Sequence, residues 1–363
     1  MRRLAALVPN MVGVAPGQRA RIESWAPLLK EYGWEVDLYP FEDARLHEVI
    51  YEQGHLMAKA SRLLSSYVAQ TRRVLTLPPY ELILVYREAA LVGPAMLERL
   101  VARRSPPLVF DLDDPTFVPY RSPASGWFSL LKFSRKTNRL FRLADSVIAA
   151  NRLIGEYAEK YNSSVTVIPN AVDVDRYRPA DKPADGFRLV WTGSQSTTTN
   201  LSPIAGPLAR LQRDRPGTLV RVVCDVPVEL PGVDVNMRPF SPETQVSDLQ
   251  DCHVGLVPVA DTAWNRLKAF FKVVQYMAVG LPVVGRRIGT NPDVIDDGVN
   301  GFLVESSEEW YQQLRLLADD PALRARMGAA ARRTVVEQFS VEKQTARLAA
   351  LLDDVAGPST VPI

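Results

Sequence analysis

Two lysines and an amide stand at helical spacing in the segment WNRLKAFFKVVQYMAVGLPVVG, residues 264–285. Lys268, Lys272, Gln275 and Val279 fall at i, i+4, i+7 and i+11, which is one face of a helix. Phe270, Phe271, Val274 and Met277 sit mostly on another face and suit a core. Lysines and an amide near a helix N-terminus can grip a diphosphate and a ribose hydroxyl. The alternative is a solvated face, although such a face more often carries Glu at i±4, and here lysine follows lysine. Upstream, the strand Leu189–Trp191 runs into Thr192, Gly193 and Ser194. A glycine directly after a strand lets backbone N–H groups approach an anion, and a following helix N-terminus favours negative charge. A tight turn is the other reading of that glycine.

Other segments carry weaker chemistry. FDLDD, residues 110–114, ends a strand with Asp111, Asp113 and Asp114. Carboxylates spaced this way suit a divalent ion, or they cap the turn at Pro115. The segment 126–142 contains Lys132, Arg135, Lys136, Arg139 and Arg142 without an acid, beside Trp127, Phe128, Leu131 and Phe133. A basic amphipathic helix can lie on an anionic membrane, so 127–142 is the candidate for peripheral membrane contact. Burial of its apolar residues in a core is the alternative. There is no GxxxxGK[ST] loop and no GxSxG elbow. His47, His55 and His253 are too scattered for a histidine-built zinc site. Cys224 and Cys252 cannot form a disulfide framework and fit a reducing compartment.

These residues need elements to position them. Leu4–Val8, Val36–Tyr39, Leu82–Tyr86, Leu108–Leu112, Ser146–Ala149 and Val165–Ile168 have the length and β-branched content of buried parallel strands. Between them, Arg19–Tyr32, Ala44–Leu75, Val92–Arg103, Ser129–Leu143 and Arg152–Lys160 read as amphipathic helices. Residues 176–187, RYRPADKPADGF, have linker composition. The pattern then restarts with strands Arg188–Trp191, Val220–Cys224, Val254–Pro258 and Pro282–Val284. Two α/β halves joined by a linker suggest a two-sided ligand cleft at the carboxyl ends of the strands.

Composition narrows the class. Of 363 residues, 47% are apolar and 23% charged, the balance of an ordinary globular chain. Lys and Arg number 43 against 41 Asp and Glu, so a nucleic-acid partner is not expected. The part before Pro179 carries about +5 and the remainder about −3. Arg2 and Arg3 precede the apolar run Leu4–Val8, but Pro9 and Asn10 break it too early for an export signal. A cytoplasmic protein is the expectation, with contact at the inner membrane face if 127–142 serves that role.

Several segments together resemble glycosyltransferase family 4. They are VIPNAVDVDRYRP (167–179), the stretch 264–284 ending QYMAVGLPVV, DDGVNGFLV (296–304) and DPALRARMGAAARRTVVEQFS (320–340). VYREAALVGP (85–94) and VFDLDDPTF (109–117) are similar to one branch of it. The resemblance implies an α/β, GT-B fold, with two Rossmann-like α/β/α domains facing an interdomain cleft. They would span 1–178 and 188–338, with a last helix, 341–355, returning to the first.

The implied activity is transfer of a sugar from a nucleoside-diphosphate sugar to an acceptor hydroxyl, with retention and without metal or cofactor. The acceptor, a small molecule, a glycan or a lipid-linked group, is left open. In the family pattern two glutamates bracket the donor helix; Leu267 and Gln275 stand in their places. The family's phosphate-binding Arg and Lys after the glycine turn are absent from 194–200, so the donor-site candidates are Gly193 and Ser194, with Lys268 and Lys272 to supply the missing charge and Gln275, in the place of the second glutamate, for the ribose. The resemblance assigns catalysis to Asp113 together with the two lysines, and an acceptor-side loop to Gly13, Gly17 and Arg19. A nucleotide-sugar epimerase, a sugar phosphorylase and a non-catalytic nucleotide-sugar binder are the alternatives.

Overall fold

The computed structural model describes every residue except 51, 53, 105, 120–133, 184 and 359–363. The chain divides into two compact units, one of residues 1–170 with 341–363, the other of 171–340.

The first unit is built on β1 (Arg2–Val8), β2 (Trp34–Pro40), β3 (Leu82–Tyr86), β4 (Leu108–Leu112), β5 (Ser146–Ala149) and β6 (Val165–Val167). They form one parallel sheet in the order β2-β1-β3-β4-β5-β6. β3, β4 and β5 are buried along their whole length, as continuous apolar runs covered on both faces must be. The helices are α1 (Pro16–Gln18), α2 (Ser24–Leu29), α3 (Ala44–Ile50), α4 (Leu56–Thr76), α5 (Met96–Ala102), α6 (Ser134–Leu143) and α7 (Arg152–Ala158). Right-handed crossovers put the helices that follow β2, β3, β4 and β5 in one layer, with α4 packed on α5 and α5 on α6.

The second unit contains β7 (Phe187–Thr192), β8 (Thr218–Val223), β9 (Val235–Arg238), β10 (Val254–Val257), β11 (Val283–Arg286) and β12 (Gly301–Val304). Its parallel sheet runs β12-β11-β10-β7-β8-β9. The helices are α8 (Ala205–Asp214), α9 (Ser247–Gln250), α10 (Phe271–Ala278), α11 (Asn291–Val294), α12 (Ser307–Asp319) and α13 (Pro321–Gln338). The last helix, α14 (Val341–Ala356), lies in the first unit, where Asp353 accepts from Trp34 Nε1 at 3.0 Å and pairs with Arg2 at 2.9 Å.

Both strand orders reverse direction at one point, between β1 and β3 in the first unit and between β10 and β7 in the second. There the loops at the strand ends part and leave the crevice in which open α/β sheets bind ligands.

Four helical expectations need correction. The stretch Ala44–Leu75 is two helices, because Gly54 and His55 both take left-handed backbone, φ +81° and +53°, between α3 and α4. The helix expected from Val92 begins at Met96, beyond Pro94. The helix expected over Arg19–Tyr32 carries a π turn at Arg19–Glu23, followed by Pro27 inside α2, which has no N–H to donate. The helix bearing Lys272 starts only at Phe271. Of the basic segment, Lys132, Trp127, Phe128, Leu131 and Phe133 lie outside the described residues. Lys136 is described and is no surface cation. It is buried, 2.9 Å from Glu98, and donates to the Ala90 carbonyl.

Candidate functional site

In the second unit, side chains of α10 reach the end of β7 at the switch point. Lys272, in the first turn of that helix, donates to the Thr192 carbonyl at 2.6 Å, and its Nζ stands 4.5 Å from the centre of the Trp191 ring. One turn on, the Tyr276 hydroxyl accepts from the Thr192 N–H at 2.7 Å. The end of β7 is thus held at both its carbonyl and its amide by side chains of one helix. Gly193 follows at once, its N–H donated to the Val223 carbonyl at 3.1 Å. A Cβ there would overlap the Trp191 ring and Thr197 Oγ1, so glycine is required by close approach. Ser194 precedes a 3₁₀ stretch, Gln195–Ile204, and its N–H is donated to Thr197 Oγ1 at 3.2 Å.

The electrostatics suit an anion. Lys272 forms no ion pair among the described residues. Burial, and then the neighbouring charge of Lys268, pull its ammonium down to about 7. Two cations converge beside a glycine turn at the N-terminus of an eight-residue helix. Gln275, on the same helix, donates through Nε2 to the Tyr177 hydroxyl at 2.9 Å.

Lys268 is placed otherwise than expected. It lies in the loop before α10, outside the helix, and its carbonyl accepts from Thr290 Oγ1 at 2.9 Å. Lys268 and Lys272 therefore do not share a helix face, although their charges still meet. Leu267 closes a turn, its N–H donated to the Trp264 carbonyl at 3.1 Å. His253 is no proton shuttle. Its Nδ1 accepts from the Arg188 N–H, and burial, with Arg324 nearby, pulls it down to about 4.

In the first unit the switch point is a lattice of guanidinium–carboxylate pairs. Asp113, just past β4, is buried; it takes Arg87 Nη2 at 2.7 Å and the Tyr86 hydroxyl at 2.9 Å. Burial alone would raise its carboxyl, but the charge and hydrogen bonds of Arg87 outweigh that and hold it below the ordinary value. Arg87 also reaches Asp114 at 2.7 Å, and its backbone sits at φ +57° directly after β3. Gly17 lies against this cluster; a Cβ would come within 2.7–2.9 Å of Arg87, Asp113 and Tyr86. Asp111 is fully buried and bidentate to Arg21, which also donates to the Ile168 carbonyl and Asn170. All three carboxylates of FDLDD are thus engaged by arginines.

Gly13 turns the β1 loop at φ +85°, its N–H donated to Glu23. Arg19 keeps a buried Nε with no hydrogen-bond partner among the described residues.

The structure brings together Gly193, Ser194, Lys272 and, through its charge, Lys268; it groups Gly17 with Asp113. Sequence reasoning passed over Trp191, Tyr276 and Arg87. Tyr276 carried a signal, four residues after Lys272 on the same helix. Arg87 carried one as the first residue beyond a buried strand.

The family model described as Glycosyl transferases group 1 matches residues 271–334, which begin at the first residue of α10. A D-inositol 3-phosphate glycosyltransferase of Saccharomonospora viridis is 29% identical over 228 residues, covering 54% of this chain and 52% of the relative. An N-acetyl-alpha-D-glucosaminyl L-malate synthase of Bacillus anthracis is 36% identical over 86 residues, 23% of this chain and 22% of the relative. The chain spans about half the length of the D-inositol 3-phosphate glycosyltransferases it matches. Among solved structures, Anabaena HepE in complex with UDP and glucose superposes with a TM-score of 0.68 at 17% identity, covering 98% of this chain and 100% of that one. A glycosyltransferase from Rickettsia africae gives 0.69 at 15% identity, covering 99% of each chain. The fold is the GT-B fold, two Rossmann-like α/β domains. Among the described residues no helix is long and apolar enough to cross a membrane.

Proposed function

We propose that the chain is a family 4 glycosyltransferase that moves a sugar from a nucleoside-diphosphate sugar to an acceptor hydroxyl with retention of configuration. The observation that carries this reading is Lys272, fixed at the C-terminal end of β7 with no carboxylate paired to it among the described residues. As the glycosidic bond breaks, an oxocarbenium-like sugar leaves negative charge on the diphosphate, and fixed cations aimed there lower the barrier. Lys272 and Lys268 supply the charge beside the Gly193–Ser194 turn, whose glycine lets the phosphates approach the backbone closely, and Gln275 meets the ribose. The departing phosphate takes the proton of the acceptor hydroxyl, so no histidine base is required.

Asp113 acts through Arg87, fixing the guanidinium at the strand end where Gly17 and the acceptor-side loop lie. Because arginines engage Asp111, Asp113 and Asp114, the reading is metal-independent. A cytoplasmic location goes with the reading. HepE binds UDP and glucose, so a uridine nucleotide is the first donor to try.

The test is incubation with a panel of nucleoside-diphosphate sugars, with and without sugar and cyclitol acceptors, reading nucleoside diphosphate release. Acceptor-stimulated release from one donor supports transfer. Release of sugar phosphate only when inorganic phosphate is supplied would replace it with a phosphorylase. Donor binding without any turnover would leave a binding protein.

A further inference from the structure

The outer face of the helical layer α4–α5–α6 is both apolar and cationic. α4 is 21 residues long and contains Lys59, Arg62, Arg72 and Arg73 but no Asp or Glu. Its inner face is buried through Lys59, Leu63, Ser66, Gln70 and Val74. Its outer face exposes Met57 (87%), Leu64 (66%), Val68 (43%) and Leu75 (56%). At 100° per residue these four fall within about 40° of one another, a single row about 27 Å long. Four exposed apolar side chains aligned on one helix face, with Ser61 and Arg72 between them, mark a candidate contact stripe.

The neighbouring helices extend the pattern. α5 exposes Met96 and Arg99, and its one acid, Glu98, is buried against Lys136. α6 has no acid and exposes Arg135, Arg139 and Arg142. Three adjacent helices thus present seven exposed arginines and no exposed carboxylate of their own. Arg62 and Arg72 form no ion pair among the described residues. Beside the apolar row, Ser61, Leu64, Ser65, Val68, Ala69 and Arg72 line a shallow groove of about 370 Å³, where hydroxyls and a cation adjoin aliphatic side chains.

We propose that this face docks on an anionic lipid surface, with the α4 row entering the headgroup–acyl boundary and the arginines meeting lipid phosphates. Charge decides the occupant. A second copy would set arginine against arginine, whereas an anionic bilayer complements the seven exposed arginines, which outnumber the exposed Glu48 of α3 and Glu52 ahead of α4, and accepts the apolar row. The surface shifts the expected membrane contact from 127–142 to α4, and of that segment keeps Arg135, Arg139 and Arg142. The inference does not depend on sugar transfer, since vesicle binding needs no turnover.

The experiment is co-sedimentation of the full chain with phosphatidylcholine vesicles, with and without phosphatidylglycerol, at low and high salt. Wild type should sediment with the anionic vesicles at low salt, be released by salt, and ignore pure phosphatidylcholine. Arg62→Gln/Arg72→Gln should weaken partitioning by roughly 30-fold, at about fivefold per cation. Leu64→Ser/Val68→Ser should weaken it at least tenfold. All four positions are exposed, and thermal melting of each variant confirms its fold. No sedimentation of wild type with anionic vesicles would overturn the proposal. So would binding that neither variant disturbs, or a wild-type dimer in sedimentation velocity that Leu64→Ser/Val68→Ser dissolves.

Discussion

Lys272 stands over the indole of Trp191, its ammonium 4.5 Å from the ring centre, while its hydrogen bond goes to the carbonyl of the next residue, Thr192. A cation–π contact and one carbonyl hold the ammonium in place without neutralising it. The charge is therefore fixed in position and still available to an anion.

Removing that charge should cost transition-state binding rather than fold. Lys272→Met keeps the packing on Trp191 and should lose roughly 2–4 kcal/mol in kcat/KM for the donor. Lys268→Ala should lose less, because Lys268 sits in the loop before α10. Steady-state kinetics on the responding donor, with circular dichroism to check folding, reads both.

The ammonium at about 7 gives a pH dependence with a definite sign. An unfolded lysine titrates near 10.4, so between about pH 7 and 10 the unfolded chain holds a proton that the folded one has released. The contribution of Lys272 to stability therefore rises with pH across that window. A bound diphosphate favours the charged form, so donor binding takes up a proton above pH 7. Donor affinity should fall there, approaching about tenfold per pH unit, and the slope should vanish in Lys272→Met. Calorimetric titration in buffers of different ionisation enthalpy measures the proton directly.

Gln275→Ala should raise the donor KM with little change in kcat. Gln275→Glu should keep much of the activity, because the Tyr177 hydroxyl that now accepts from Gln275 can turn and donate to a carboxylate. Unchanged KM in Gln275→Ala would remove the ribose assignment.

Asp111→Asn should destabilise the first unit by about 3–5 kcal/mol, since it strands the buried Arg21 guanidinium. Chemical denaturation measures this. The account also expects EDTA to leave activity intact. Strict dependence on a divalent ion would mean that the carboxylates of 110–114 have a role their arginine pairs do not express.

The sheets were legible because parallel strands covered on both faces must be apolar runs, and Leu82–Tyr86 and Leu108–Leu112 are such runs. The second sheet's outermost strands were not read as strands. VNMR in β9 is half exposed and mixes polar with apolar residues, and β12 begins at the glycine of a turn motif. Lys272 and Gln275 could be placed on a helix by spacing alone. The position of Lys268 could not, because the start of α10 depends on how the preceding loop packs on Thr290. Asp113 reads from sequence as a ligand-facing carboxylate or a cap of the turn at Pro115, not as the partner of an arginine. Its partner Arg87 is 26 residues away, directly after β3 with φ +57°, and no local pattern in the sequence pairs the two.

The most direct measurement is calorimetric titration of nucleoside diphosphates into wild type and Lys272→Met. The account predicts that one nucleoside diphosphate binds wild type, and that Lys272→Met binds it roughly 30- to 1,000-fold more weakly, with the fold intact. Equal affinity in the two proteins, or no binding of any nucleoside diphosphate to wild type, would contradict it.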